Sequence, residues 1–227
     1  MKQVYIILGY GIPRNILKDG NYQYYLRGVF NSIYDDTVTR QAVRPIIIFC
    51  GGKSDIFKPY RRTEAAEMMR AFRALMAKPV LRKATRNWKL VPEPRSISTL
   101  ENLLYARGIL RSMKTNTQQA TIYCEQTRVS RIVKLARKIF SKSIKANVKA
   151  IDFDTSNNRY LDLRFLTDKE HKSLRHDLWA LRNDNNMKQH HEFFVRKLVI
   201  FRKAGPGRHV ATIRKWWEDE MKKEFIS

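Results

Sequence analysis

The sequence predicts an α/β fold, a three-layer sandwich with a mainly parallel sheet, and three observations carry that prediction. Val4-Tyr5-Ile6-Ile7-Leu8 is apolar throughout and ends on Gly9-Tyr10-Gly11. Pro45-Ile46-Ile47-Ile48-Phe49-Cys50 repeats the arrangement and ends on Gly51-Gly52. Strands apolar on both sides belong at the centre of a sheet covered by helices on both faces. The third observation is that such runs alternate with helical segments, as layered α/β packing requires. At 227 residues and 43% apolar content the chain can build a substantial core.

Between Arg62 and Met76 an apolar set of Ala65, Met68, Met69, Phe72 and Leu75 recurs at helical spacing. Pro79 stops that run, and Trp88-Lys89-Leu90-Val91 reads as a short strand before Pro92. A helix from about Ser98 carries Leu100, Leu103, Leu104 and Leu110. Ala120-Thr121-Ile122-Tyr123-Cys124 reads as another buried strand, followed by a helix from about Val129 to Ser141. Beyond Lys145 the pattern weakens, with a strand expected over Val148 to Phe153 and helices over Asp168 to Asn183 and Asn186 to Arg202. Gly205-Pro206-Gly207 then precedes a short helix carrying Trp216, Trp217 and Phe225. No repeat or low-complexity linker divides the chain; the expected organisation is a core over 1–153 and a basic helical extension over 154–227 packed on it.

Composition narrows the function classes. Lysine and arginine total 45 against 21 acidic residues, a net charge of +24. Only Cys50 and Cys124 are present, so a thiolate-rich zinc cage or a multi-bridge secreted scaffold is excluded for this chain alone. Both cysteines fall near predicted strand ends, where buried packing is favoured over a reactive thiol. The apolar stretch around Val4 to Leu8 is too short for a secretory core or a membrane span, so a cytoplasmic protein without transmembrane association is expected. His171 and His176, like the adjacent His190-His191, lack H-E-x-x-H spacing, and no metal site is expected.

Candidate chemistry gathers at the turns after the strands, the edge where open parallel sheets receive ligands. Main-chain amides at Gly51 and Gly52 can hold an anion, and Gly9 and Gly11 can admit a ligand closely, although ordinary turn geometry explains the same glycines. Arg14 occupies the last position of a would-be G-x-G-x-x-G, and no Walker A sequence is present, so neither NAD nor ATP is assigned. Glu64 and Glu67 share one face at a helix start, where they either serve a cleft or stabilise the helix terminus. In Glu93-Pro94-Arg95-Ser96-Ile97-Ser98-Thr99-Leu100-Glu101-Asn102, Arg95 can pair with an anion and Ser96 and Thr99 can hydrogen-bond a ligand. The alternative is structural, since Ser98-Thr99-Leu100-Glu101 has capping-box spacing.

These segments together resemble the DUF218 family, described as YdcF/SanA/ElyC-like. The resemblance rests on Leu8-Gly9-Tyr10-Gly11, on Cys50-Gly51-Gly52 with Thr63-Glu64-Ala65 and Met68, and above all on Glu93 to Asn102; it covers roughly residues 3 to 153. It implies a Rossmann-like core with a polar cleft holding Gly9, Gly11, Gly51, Gly52, Glu64, Glu93, Ser96, Thr99, Glu101 and Asn102. It also implies a link to envelope-related processes and a nucleotide-like cofactor such as S-adenosylmethionine, without a secure common reaction. One departure matters: related sequences place a histidine three positions before the arginine matching Arg131, and Arg128 stands there instead. Arginine stays charged and suits anion holding where histidine would exchange a proton.

Positive charge is concentrated. From Arg128 through Ala150 eight basic residues occur without an acidic one, several at helical intervals, with Ile132, Leu135, Ala136, Ile139 and Phe140 forming the inward side. That ridge either attracts RNA, DNA or another polyanion or is simply a solvated surface. No complete zinc-finger, RNP or homeodomain signature accompanies it. The sequence therefore points first to binding of a small polar, anionic or nucleotide-like ligand. Arg95, Arg128 and Arg131 would orient negative groups, and Glu64 or Glu101 would act as general base if chemistry occurs. A nucleic-acid-associated protein using its basic surface is the competing class.

Overall fold

A computed structural model describes residues 3–9, 11–39, 44–113, 119–140, 144–151 and 163–223. Tyr10, Lys142, Phe225, the end of the predicted strand at Phe153 and the expected boundary after it lie outside the described residues. Five strands, β1 (Val4–Leu8), β2 (Ile46–Cys50), β3 (Lys89–Glu93), β4 (Gln119–Glu125) and β5 (Lys145–Ile151), form one sheet. Their order is β3-β2-β1-β4-β5 and every pairing is parallel. With helices on both faces this is a three-layer, Rossmann-like α/β fold.

The apolar runs explain the layering. Along β1, Val4, Ile6 and Leu8 face one side while Tyr5 and Ile7 face the other, and every one is buried. On the first face lie α4 (Thr99–Ser112) and α5 (Val129–Phe140), contributing Leu103, Ala106, Leu135 and Ile139. On the second lie α1 (Gly20–Thr39) and α2 (Glu64–Met76), contributing Tyr25, Val29, Met68 and Phe72. Burying a side chain of this size is worth roughly 1.5–3 kcal/mol. Cys50 and Cys124 pack as free thiols in the first face, where burial pushes both up, Cys124 to about 12.

Four elements differ from their sequence expectation. The 20-residue α1 was not anticipated: its buried face is built from Tyr22, Tyr25, Leu26, Val29, Phe30 and Ile33, in which aromatic and β-branched residues blur the helical pattern. Pro79 stops α2 but also opens a short helix, α3 (Pro79–Thr85), where its missing N–H is harmless. The third strand runs through Pro92 because it is an edge strand. At the opposite edge β5 starts at Lys145 rather than Val148, and its exposed Lys145 and Asn147 alternate with partly buried residues.

Beyond β5 come α6 (Leu163–Ala180), α7 (Asp184–Ala204) and α8 (His209–Lys223). Their own cluster, Phe193, Phe194, Phe201, Trp216 and Trp217, packs on Ile56 and Ile97, which follow β2 and β3. The extension is thereby laid over the carboxyl edge of the sheet. Arg131 on α5 holds it there: its Nε donates to Asp177 at 2.6 Å and an Nη to Glu170 at 3.1 Å, with all three residues buried. Burial by itself would raise both carboxyls; Lys169 and Arg131 overcome it at Glu170, and Arg131 at Asp177, holding both below their ordinary values.

Removing one member of such a cluster strands buried charge. Arg131→Met is expected to cost about 3–5 kcal/mol in urea unfolding. Because the two carboxyls are lowered on folding, the wild-type protein keeps this contribution above their ordinary values of 4.5 and 3.8 and loses it as pH falls below them. Arg131→Met is therefore expected to narrow its deficit in acid, which unfolding at pH 7 and pH 4 checks.

Candidate functional site

The sheet order reverses between β1 and β4, whose carboxyl ends lead to different faces. Such switch points open a crevice. Here Tyr25 of α1 spans it, its buried hydroxyl 2.8 Å from the Leu8 carbonyl and 3.2 Å from that of Tyr123. Above lies a cavity of about 430 Å³ roofed by α6, α7 and α8. Gly9, Gly11, Glu64, Ser96, Thr99, Asn102, Arg128 and Arg131 line it, together with residues of the extension.

Glu64 is a buried carboxylate that lines the cavity from the core. It stands at the start of α2, which Thr63 caps by accepting from the Ala66 N–H at 3.2 Å. Its Oε1 accepts from the Ser54 hydroxyl at 2.8 Å, and the Gly11 amide also hydrogen-bonds it. Burial raises the carboxyl, against the opposing pull of Ser54, Arg128, Gly11 and Lys197. The neighbouring glycines make room for it: a Cβ on Gly9 would lie 2.3 Å from Glu64 Oε2, and one on Gly51, where φ is +147°, 2.5 Å from it.

The glycine amides do not cradle a ligand. Gly51 N–H donates to the Glu93 carbonyl at 3.0 Å and Gly52 N–H to the Ser96 carbonyl at 2.6 Å. This corrects the anion-holding reading of those two amides, which are spent joining the turn after β2 to the turn after β3. A Cβ on Gly52 would lie 2.5 Å from the Ser96 carbonyl oxygen, so the glycine serves that close approach. Asp55 and Arg62 add a third tie: Arg62 grips Asp55 through two bonds of 2.9 Å and donates to the Pro13 and Arg14 carbonyls.

The segment after β3 divides between wall and support. Glu93 is fully buried and receives the Arg95 N–H at 2.8 Å, the Ser96 N–H and the Ser96 hydroxyl. That hydroxyl lies between Glu93 and the Asn102 side-chain amide, so Ser96 and Asn102 reach the cavity while Glu93 stands behind them. Ser98 caps α4, accepting the Glu101 N–H at 3.1 Å. Glu101 is fully buried behind the wall: one oxygen accepts from the Ile97 N–H at 2.7 Å and the other lies 2.6 Å from His191 Nδ1 on α7. It ties α4 to α7 rather than facing the cavity. Arg95 also points elsewhere, with 70% of its side chain exposed and its guanidinium over the Tyr105 ring. Glu67 is buried and pairs with Arg70 at 2.7 Å and with Arg62 at 3.8 Å, away from the cavity lining.

The basic ridge turns partly inward. Lys134, Arg137, Lys138 and Lys145 are exposed, whereas Arg128 donates to the Gly9 carbonyl at 2.9 Å across the switch point. Arg131 touches the cavity, but its charge is met by Asp177 and Glu170, which corrects its reading as an anion ligand. Sequence reasoning missed the cations that face inward from the extension. Lys169 pairs with Glu170 at 2.7 Å. Lys197 on α7 has no carboxylate partner among the described residues; its ammonium lies 5.2, 5.3 and 5.0 Å from the ring centres of Phe194, Phe201 and Trp217. Burial, then Lys169, Arg128 and Arg131, lower its amine to about 7. Trp217 also lines the cavity, and its buried indole N–H has no acceptor among the described residues. Only the helical spacing of Phe194, Lys197 and Phe201 hinted at this wall.

Three substitutions test how the wall is built, one of them a control away from it. Gly51→Ala is expected to lose about 1–3 kcal/mol by displacing Glu64, whereas Gly108→Ala on exposed α4 surface, where a Cβ meets nothing, is expected to gain about 0.5–1 kcal/mol. Glu64→Gln is expected to raise the urea midpoint at pH 7.5. Since folding raises this carboxyl above 4.5, ionising it is what costs stability, and the gain is expected to fade as pH falls from the raised value to 4.5.

No protein-family model, no curated protein and no solved structure matches this chain.

Proposed function

We propose that the chain binds a small organic anion of nucleotide-like build in the cavity at the switch point. The observation that carries this reading is Lys197, a cation in an aromatic corner with no carboxylate partner among the described residues, beside Lys169 and Arg128. An anionic group there would compensate charge that the fold leaves concentrated, and would give the Trp217 N–H an acceptor. Phe194, Phe201 and Trp217 supply flat apolar surface for the rest of the ligand, and the volume falls in the range of small-molecule sites. Thr99 and Asn102, which also line the cavity, offer hydrogen bonds, and Glu64 is the group best placed to accept a proton.

The resemblance to the DUF218 family supports the same edge of the sheet and suggests S-adenosylmethionine as one member of the ligand panel. The convergence of Arg128, Lys169 and Lys197 favours phosphate or carboxylate groups over a sulfonium. A second reading, nucleic-acid association, has its own observation in exposed Lys134, Arg137, Lys138 and Lys145.

Native mass spectrometry after nuclease treatment and a high-salt wash, with nucleotides, sugar phosphates and S-adenosylmethionine, is expected to give a saturable one-to-one shift with a phosphate-bearing ligand. Lys197→Met is expected to weaken it about ten- to a hundredfold. For a cyclic nucleotide, whose single charge is constant in this range, affinity is expected to fall about tenfold from pH 6 to pH 8 as Lys197 loses its proton. Absence of any shift, with salt-dependent RNA binding lost on changing Lys134, Arg137 and Lys138, would transfer the function to the ridge.

A further inference from the structure

We propose that Lys197 is also a covalent site, an amine that forms an imine with the aldehyde or ketone group of an anionic ligand held in the same cavity. This rests on the small-anion reading and adds a reaction to it.

The argument begins with the contrast between two lysines that flank one ring. Lys169 Nζ and Lys197 Nζ lie 5.6 and 5.0 Å from the centre of Trp217. Lys169 is paired with Glu170 at 2.7 Å, which opposes the lowering of its amine by burial. Lys197 has no such partner among the described residues and is surrounded by rings of α7 and α8. The charged groups acting on it come from every side of the cavity: Lys169 and Glu170 on α6, Arg128 just before α5 and Arg131 in its first turn, and Glu64 on α2. Cations outnumber anions in that set, so a neutral amine is accessible near pH 7. An amine desolvated in an apolar wall beside another cation is the arrangement that activates lysine as a nucleophile.

The step balances without a further reactant. The Nζ lone pair adds to the carbonyl carbon, the C=O π pair moves to oxygen, and one N–H proton is transferred to that oxygen. A second proton, from solvent or from Glu64 in the same cavity, lets the oxygen leave as water. The nitrogen lone pair then closes the C=N bond, and the product is a protonated imine. It places one positive charge where the ammonium stood, among Phe194, Phe201 and Trp217, whose faces favour a cation.

Pyridoxal 5′-phosphate serves as probe because it unites an aldehyde, a ring and a phosphate; pyridoxine 5′-phosphate is the same molecule with an alcohol in place of the aldehyde. The full-length protein is mixed with either at equimolar ratio, treated with borohydride and mapped by peptide mass spectrometry, while pyridoxine phosphate binding is followed by calorimetry. Expected are saturable pyridoxine phosphate binding and a reduced pyridoxal adduct on Lys197 in at least tenfold excess over any other lysine. Its yield rises from pH 6 to pH 8, opposite in direction to cyclic nucleotide binding. Lys197→Arg abolishes the adduct and Lys169→Met does not; should a variant fail to fold, the wild-type peptide map decides alone. Pyridoxine phosphate binding with adducts scattered over surface lysines would overturn the imine while leaving the anion site standing. Failure of both compounds to bind would remove the anion-site reading and the imine together.

Discussion

The arrangement of the cavity depends on a guanidinium buried between two carboxylates. Arg131 belongs to the α/β core, while Glu170 and Asp177 belong to the extension, two turns apart along α6. Replacing such a cluster with apolar residues often stabilises a protein, so its value here is less in net energy than in location. An apolar surface would let α6 slide; two charged hydrogen bonds to one planar group fix its position and rotation. With α6 fixed, α7 follows, and with α7 come Lys197 and the aromatic corner. His190 of α7 continues the chain of contacts, its Nε2 lying 3.2 Å from Asp177.

A second constraint is the packing of Glu64 against glycine backbone. Gly9 and Gly51 each lack the one atom that would collide with its carboxylate, and Gly52 lets two turns approach as closely as a hydrogen bond allows. The three turns at the edge of the sheet are thus a single rigid unit, tied by backbone amides and by Arg62 on Asp55. Rigidity of this kind is what a binding wall needs, since side chains mounted on it need not be ordered when a ligand arrives.

The layers were legible because apolar periodicity reports directly on burial. Val4 to Leu8 and Ile46 to Cys50 declare themselves as central strands with no helix pattern to compete, and the inward face of α5 could be read residue by residue. The long α1 hid because tyrosines along its buried face read as polar or strand-forming until Tyr25 is seen bonded to two strand ends. For the site, Gly9, Gly11, Glu64, Ser96, Thr99, Asn102 and Arg128 do meet at one cavity. The roles of Gly51, Gly52, Glu93, Arg95, Glu101 and Arg131 were invisible, because a residue's spacing says where it sits and not whether its polar atoms are already engaged. Lys169 and Lys197 were illegible for another reason: a lysine among many in a chain of charge +24 carries no mark of facing inward.

The cavity joins chain positions that are remote from one another. Gly9 and Arg128 form its floor, and Trp217 closes it from roughly two hundred residues further along than Gly9. Sequence separation of that size makes closure of the roof among the slowest contacts to form, because the entropy of a large loop is lost before any contact across it is gained. The sheet can therefore assemble around an open, water-filled edge, and the charged interior is sealed only when α7 and α8 dock. Any molecule bound there only in the native state would stabilise it by mass action, so occupancy and completion of folding would be linked.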